Sequence, residues 1–150
     1  MTERDWSDAE DGTTRRFDIE LLIIHPTIDP DEITAALGLE PARLHRVGDR
    51  RKTPKGTVLQ GNYPDTRWRY CVRREVKHQW FADEVAAFVK RLEPHKAFLS
   101  HVSTTGGRAI LLIQFLGDGY HGDKVPTAVL ARLVDLGLDL GLESFLDSQS

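Results

Sequence analysis

The sequence predicts a single α+β domain in which a mostly antiparallel sheet carries its helices on one face. Apolar residues alternate from Phe17 to His25, which is the period of a strand. Between Trp80 and Leu92 they recur every three or four residues, which is the period of a helix that faces a core. A chain of 150 residues, 40% of them hydrophobic, is long enough to bury one such core.

The predicted elements follow the order βαββαββαβ, which is typical of a ferredoxin-like or extended split βαβ arrangement. Residues 1–16 are polar and acidic and lack apolar periodicity, so they are predicted to form a flexible tail. Residues 17–150 are predicted to form the domain, because no linker-like segment divides them.

A complete helix-start signal follows the first strand. Asp29 is a suitable N-cap, Pro30 suits the first helical position, and Glu32 is placed to complete a capping box. Gly38 is expected to end this helix in the left-handed conformation. Helix 1 is therefore predicted to be short and well defined.

The middle of the chain is predicted to hold two strands separated by a long loop. Strand 2 is placed at Leu44 to Val47, and the loop runs from Gly48 to Asp65. Strand 3 runs from about Thr66 to Arg74, and its alternation gives it a core face and a basic face. The core face comprises Trp68, Tyr70 and Val72, and the opposite face comprises Arg67, Arg69, Cys71 and Arg73.

A hairpin is predicted after helix 2, which is expected to end at Pro94. Its strands are placed at Ala97 to Ser103 and at Arg108 to Leu116, and Gly106 and Gly107 suit a tight turn between them. The second strand is almost wholly apolar, so we expect it in the interior of the sheet.

The last two predicted elements are a helix and a strand. Apolar residues at helical spacing between Val129 and Val134 predict helix 3, and Gly137 is expected to cap its end. The alternation of Leu138 to Leu142 predicts a final strand, which we expect at an edge of the sheet.

Charge is distributed unevenly along the chain. The segment from Arg43 to Lys77 has eleven Lys or Arg against three Asp or Glu, a net charge of +8. Since the whole chain carries −3, the remainder carries −11. An asymmetry of this kind bears on the choice of partner and on solubility, and not on the fold.

The basic segment predicts a binding surface. Its candidate residues are Arg50, Arg51, Lys52, Arg67, Arg69 and Arg73. The leading hypothesis is a non-enzymatic module that binds another protein through the sheet face, the basic loop or an edge strand. A nucleic acid or other polyanion is the alternative partner, with Tyr63 available for stacking. A third reading is that the arginines only pair with acidic residues of the same chain or solvate the open sheet face.

No strong catalytic motif is present, and we predict no cofactor and no metal. An enzyme with a dispersed site near Asp118 and His121 is a further alternative, although loops between a strand and a helix often contain such residues. Cys71 lies among arginines that favour its thiolate, yet an ordinary structural thiol is the simpler reading.

The composition favours a cytoplasmic protein without membrane association. Cys71 is the single cysteine, so no disulfide forms within the chain, which suits a reducing compartment. No apolar stretch approaches the length of a bilayer span, and the first sixteen residues lack the apolar core of a signal peptide.

Several motifs together resemble the domain-of-unknown-function 4279 family. They are the run from Asp29 to Pro41, the pair Gly48 and Asp49, Trp68, and the closing run from Leu136 to Leu140. These motifs are a cap, turns and core positions, so the resemblance implies a fold and supplies no catalytic residue. The basic loop before Trp68 is longer than the family pattern requires, which makes it a candidate for a feature specific to this protein.

Overall fold

A computed structural model describes residues 15–77, 81–117 and 122–144. Its strands are β1 (Arg15–His25), β2 (Arg43–His45), β3 (Arg50–Lys52), β4 (Val58–Asn62), β5 (Thr66–Val76), β6 (Arg108–Leu116) and β7 (Leu138–Ser144). Its helices are α1 (Pro30–Leu37), α2 (Phe81–Leu92), α3 (Lys96–Thr104) and α4 (Thr127–Asp135), with a short 3₁₀ helix at Glu93–His95. Strand β1 begins at Arg15, two residues before the predicted start of the domain at residue 17. The first fourteen residues of the predicted tail lie outside the described ranges, as does Trp80.

Five strands form one sheet in the order β2-β5-β1-β6-β7, and β3 pairs with β4 separately. All pairs in the large sheet are antiparallel except β6 with β7, which confirms the predicted mostly antiparallel α+β fold. Strand β6 is internal and β7 forms one edge, as the sequence predicts.

The hydrophobic core lies between one face of this sheet and the helices. Strand β1 contributes alternate residues to it, among them Phe17 and Leu21, and β5 contributes the fully buried Trp68. Each of the four helices adds buried apolar side chains to the same cluster, so the helices cover one face. None of the described helices is both long enough and apolar enough to cross a membrane.

Helix α1 has the predicted N-cap at Asp29 and the predicted end at Gly38, but the Glu32 side chain does not bond to the Asp29 amide, so the predicted capping box is not formed. The Asp29 carboxylate accepts a hydrogen bond from the Asp31 amide at 2.9 Å, and Pro30 occupies the first turn. Gly38 has φ of 64° and its amide donates to the Thr34 carbonyl at 2.9 Å, which closes the helix.

The hairpin predicted at 97–116 is wrong, because residues 96–104 form helix α3. Leu99 and Val102 are both buried, and their spacing of three residues matches a helix face. Gly107, which follows the helix, does not form a hairpin turn. It allows the chain to pass close to His25 and Ile24. A Cβ on Gly107 would lie 2.7 Å from Cδ2 of His25 and 2.9 Å from the Ile24 carbonyl oxygen, so only glycine fits.

The predicted loop at 48–65 is also more ordered than expected, since it contains the β3–β4 hairpin. The hairpin turn is closed by the amide of Thr53, which donates to the Thr57 carbonyl at 2.8 Å. Every side chain of the two strands is exposed, so no burial pattern reveals them in the sequence. Strand β2 is likewise shifted, and ends at His45 instead of Val47.

Candidate functional site

A basic groove of about 980 Å³ lies where the β2 and β5 end of the sheet meets the start of α1 and the β3–β4 hairpin. The charged side chains along it are Arg43, His45, Arg46, Arg50, Lys52, Arg67 and Arg69, with Asp31 and Asp49. The cations outnumber the carboxylates by four even with histidine taken as neutral. The groove is therefore suited to an anionic ligand.

The pairing of β2 with β5 places like charges directly opposite each other. Arg43 faces Arg69, and His45 faces Arg67 on the same side of the sheet. Arg69 is compensated by Glu20 at 3.2 Å, and Arg67 by Asp65 at 3.2 Å. Within the described ranges, Arg43 forms no ion pair with a carboxylate, although its positive charge offsets part of the rise in the pKa of Glu20. Like charges directly opposite are unfavourable on an antiparallel pair, and an anion between the two arginines would offset their repulsion.

The hairpin adds further cations to the groove. Arg50 donates from Nε to the Leu59 carbonyl at 3.5 Å, which leaves its charge uncompensated. Lys52 likewise has no acidic partner among the residues described. Together with Arg43, these residues give the groove three cations that form no ion pair with a described carboxylate.

Tyr63 holds the hairpin against the sheet. Its ring stacks on His45 with centroids 3.7 Å apart and planes 3° from parallel. Its hydroxyl accepts from the Lys52 amide at 3.1 Å and donates to the Lys52 carbonyl at 3.2 Å. Its own backbone bonds to Gly48 and Asp49, both at 2.9 Å. The basic residues of the hairpin are thus fixed at one position relative to β2.

Four of the six predicted binding residues line the groove, namely Arg50, Lys52, Arg67 and Arg69. Arg51 and Arg73 do not line it. Arg43 and Arg46 also line the groove, although the sequence predicts them only as part of the basic segment and not as binding residues. Only the register of β2 on β5 shows that Arg43 faces Arg69, and this register is a tertiary feature.

Arg73 is engaged in a structural pair on the open face of the sheet. It donates from Nε and Nη2 to the two carboxylate oxygens of Asp18, at 2.8 and 3.1 Å. This hydrogen bonding raises the pKa of Arg73. Asp18 is buried, so it needs this partner. Arg73 therefore follows the reading in which an arginine of the basic face pairs with an acidic residue of the same chain.

The described residues support no other reactive centre. Burial, followed by the charges of Asp18 and Glu20, raises the pKa of the Cys71 thiol, so the arginines around it do not produce a reactive thiolate. No cluster of metal-ligating side chains occurs in the described ranges. The alternative site at Asp118 and His121 lies outside them.

These observations define an α+β domain with a basic groove at one end of its sheet. The chain matches the family described as Domain of unknown function (DUF4279) over residues 14–144, and it belongs to that family. No curated protein and no solved structure matches it.

Proposed function

We propose that the domain is a non-enzymatic binding module that holds an acidic segment of another protein in the basic groove. The observation that carries the proposal is that one groove brings together Arg43, Arg50 and Lys52, none of which forms an ion pair with a described carboxylate. We further propose that the protein is cytoplasmic. Its single cysteine, which cannot form a disulfide within the chain, supports a reducing compartment.

Electrostatic cost favours a bound anion over a merely solvated surface. Like charges directly opposite on antiparallel strands destabilise a sheet, where a cross-strand pair typically changes stability by roughly 0.2–1 kcal/mol. Arg43 and Arg69 form such a pair, in which Arg69 is ion-paired with Glu20 and Arg43 acts on that carboxylate only from beyond ion-pair distance. A carboxylate between the two guanidinium groups would convert this repulsion into two attractive contacts.

Two features of the groove favour an acidic peptide over a nucleic acid. Asp31 and Asp49 lie among its lining residues and would repel a continuous phosphate backbone. Tyr63, the aromatic residue that the sequence offers for base stacking, has one ring face covered by His45 and its hydroxyl bonded to Lys52. A peptide can place its carboxylates beside the arginines and avoid both acids.

The test compares two variants with the same charge change. Arg43, Arg50 and Lys52 are replaced with Gln in one, and the exposed Lys77, Lys90 and Lys124, which are not among the lining residues, in the other. Arg69 is left intact because it compensates Glu20. The probes are a fluorescein-labelled oligoglutamate peptide and a labelled single-stranded oligonucleotide, each followed by anisotropy over a range of salt.

We expect the groove variant to bind oligoglutamate about tenfold more weakly, since three exposed ion pairs contribute roughly 1.5 kcal/mol together. The control should bind like the wild type. If both variants lost the same affinity for oligoglutamate, the loss would be due to net charge alone, and the proposed binding in the groove would be refuted. Tighter binding of the oligonucleotide, lost in the groove variant with a steep salt dependence, would favour the nucleic-acid alternative.

A further inference from the structure

Strand β7 forms an edge of the five-stranded sheet, and its outer side has no partner strand in the described chain. On the face that carries the helices, Leu138 is 6% exposed, Leu140 is 36% exposed and Leu142 is 61% exposed. The leucines of β7 therefore become more exposed toward the C-terminal end of the strand. An unpaired edge with exposed leucines is a template for pairing with another strand.

The adjacent helix also exposes apolar side chains. Helix α4 packs on β7 and leaves Leu130 at 42% and Val134 at 80% exposure. Among the described residues, four of the seven large apolar side chains that are exposed belong to these two elements. Such a concentration of exposed apolar side chains marks an interaction surface.

We propose that two copies of this chain associate by pairing their β7 strands antiparallel about a two-fold axis through Leu140. In this register Leu140 faces itself and Leu138 faces Leu142 of the other copy. Asp139 then faces Gly141, and Glu143 faces Gly137. Each leucine meets a leucine and each carboxylate meets a glycine, so the edge is complementary to itself.

Charge selects this register over its neighbours. A two-fold axis through Gly141 would set Asp139 opposite Glu143, and an axis through Asp139 would set two aspartates opposite each other. Like charges directly opposite are unfavourable on an antiparallel pair. The same carboxylates argue against an acidic partner at this edge, whereas the leucines suit a second copy.

The arrangement would join two sheets into one continuous sheet with the β7 strands at its centre. The basic groove lies at the opposite edge, beside β2, so both grooves would remain open. The self-association does not depend on the proposed binding of an acidic segment, and either can fail without the other.

The oligomeric state tests the interface. Sedimentation of the wild type at micromolar concentration should show a dimer, and Leu142→Lys should shift it to a monomer with an unchanged circular dichroism spectrum. Val58→Lys is the matched control, because Val58 is 54% exposed on the separate hairpin, and it should remain dimeric. A monomeric wild type would overturn the proposal, as would a dimer that Leu142→Lys leaves intact.

Cysteine cross-linking tests the register in a Cys71→Ser background. Leu140→Cys should form an intermolecular disulfide on mild oxidation, because cross-strand Cα atoms lie about 5 Å apart at the axis. Leu142→Cys should not, since the two copies of residue 142 would be about 13 Å apart along the strands. Ready cross-linking through residue 142, or none through residue 140, would refute this pairing.

Discussion

His25 is buried at the end of β1 and is hydrogen-bonded through both ring nitrogens. Nδ1 accepts from the amides of Thr27 and Ile28 at 3.0 and 2.9 Å. Nε2 lies 2.7 Å from the Thr105 hydroxyl, which donates its own proton to the His101 carbonyl at 2.6 Å. The ring therefore carries its proton on Nε2. Burial, followed by the charge of His101, lowers the pKa of His25.

We predict that His25 makes the domain less stable as the pH falls. Because its folded pKa is below the ordinary value of 6.5, the unfolded chain binds the proton more readily. Its stabilising effect is fully present above that value and is lost as the pH falls from there through the folded pKa. Urea titrations from neutral to acidic pH should show a steeper loss of unfolding free energy for the wild type than for His25→Asn. Parallel losses would contradict the prediction.

For the arginines of β5, the sequence predicts the face of the strand on which they lie but not the residues with which they pair. Alternation correctly places Arg67, Arg69 and Arg73 on one face. It does not show that Asp18 and Glu20 lie across from them on β1 and take two of the three as partners. Burial raises the pKa of Glu20, and the charge of Arg69 partly offsets this effect. Only the pairing of strands separates structural arginines from available ones.

At the scale of elements, burial decides what the sequence reveals. Strands β1 and β6 and helices α1 and α2 are predictable because a core selects apolar residues at their period. The β3–β4 hairpin has no buried side chain, so its sequence shows no apolar alternation that would predict its strands. Helix α3 is missed because its two buried residues, Leu99 and Val102, are too few to distinguish a helix from a strand.

Helix α1 provides a test at this scale. Asp29→Ala should lower the free energy of unfolding by about 1 kcal/mol, because the Asp31 amide loses its acceptor. Asp29 also binds Arg46 at 3.0 Å, so Asp29→Asn is the control that keeps a capping oxygen and removes the charge. Denaturant titration should find the Asn variant close to the wild type. An Ala variant as stable as the Asn variant would show that the cap contributes nothing.

At the scale of the whole molecule, the sheet order separates the charges that the sequence distributes along the chain. The basic segment supplies β2 to β5, and the large sheet carries β2 at one edge and β7, with Asp139 and Glu143, at the other. The sequence alone predicts the presence of a basic surface. It does not predict the groove, because the groove arises from two tertiary features. These are the register of β2 on β5 and the stacking of Tyr63 on His45, which holds the hairpin beside β2.

The most direct test of the central claim, that the groove keeps an unfavourable charge arrangement for an anionic partner, is the unfolding free energy of Arg43→Gln with and without oligoglutamate. Without ligand the variant should be more stable than the wild type by about 0.2–1 kcal/mol, because removing the repulsion between Arg43 and Arg69 outweighs losing the longer-range attraction between Arg43 and Glu20. With ligand the wild type should gain more stability than the variant, because it binds more tightly. A variant that is less stable without ligand, or that gains as much from oligoglutamate as the wild type, would contradict the claim.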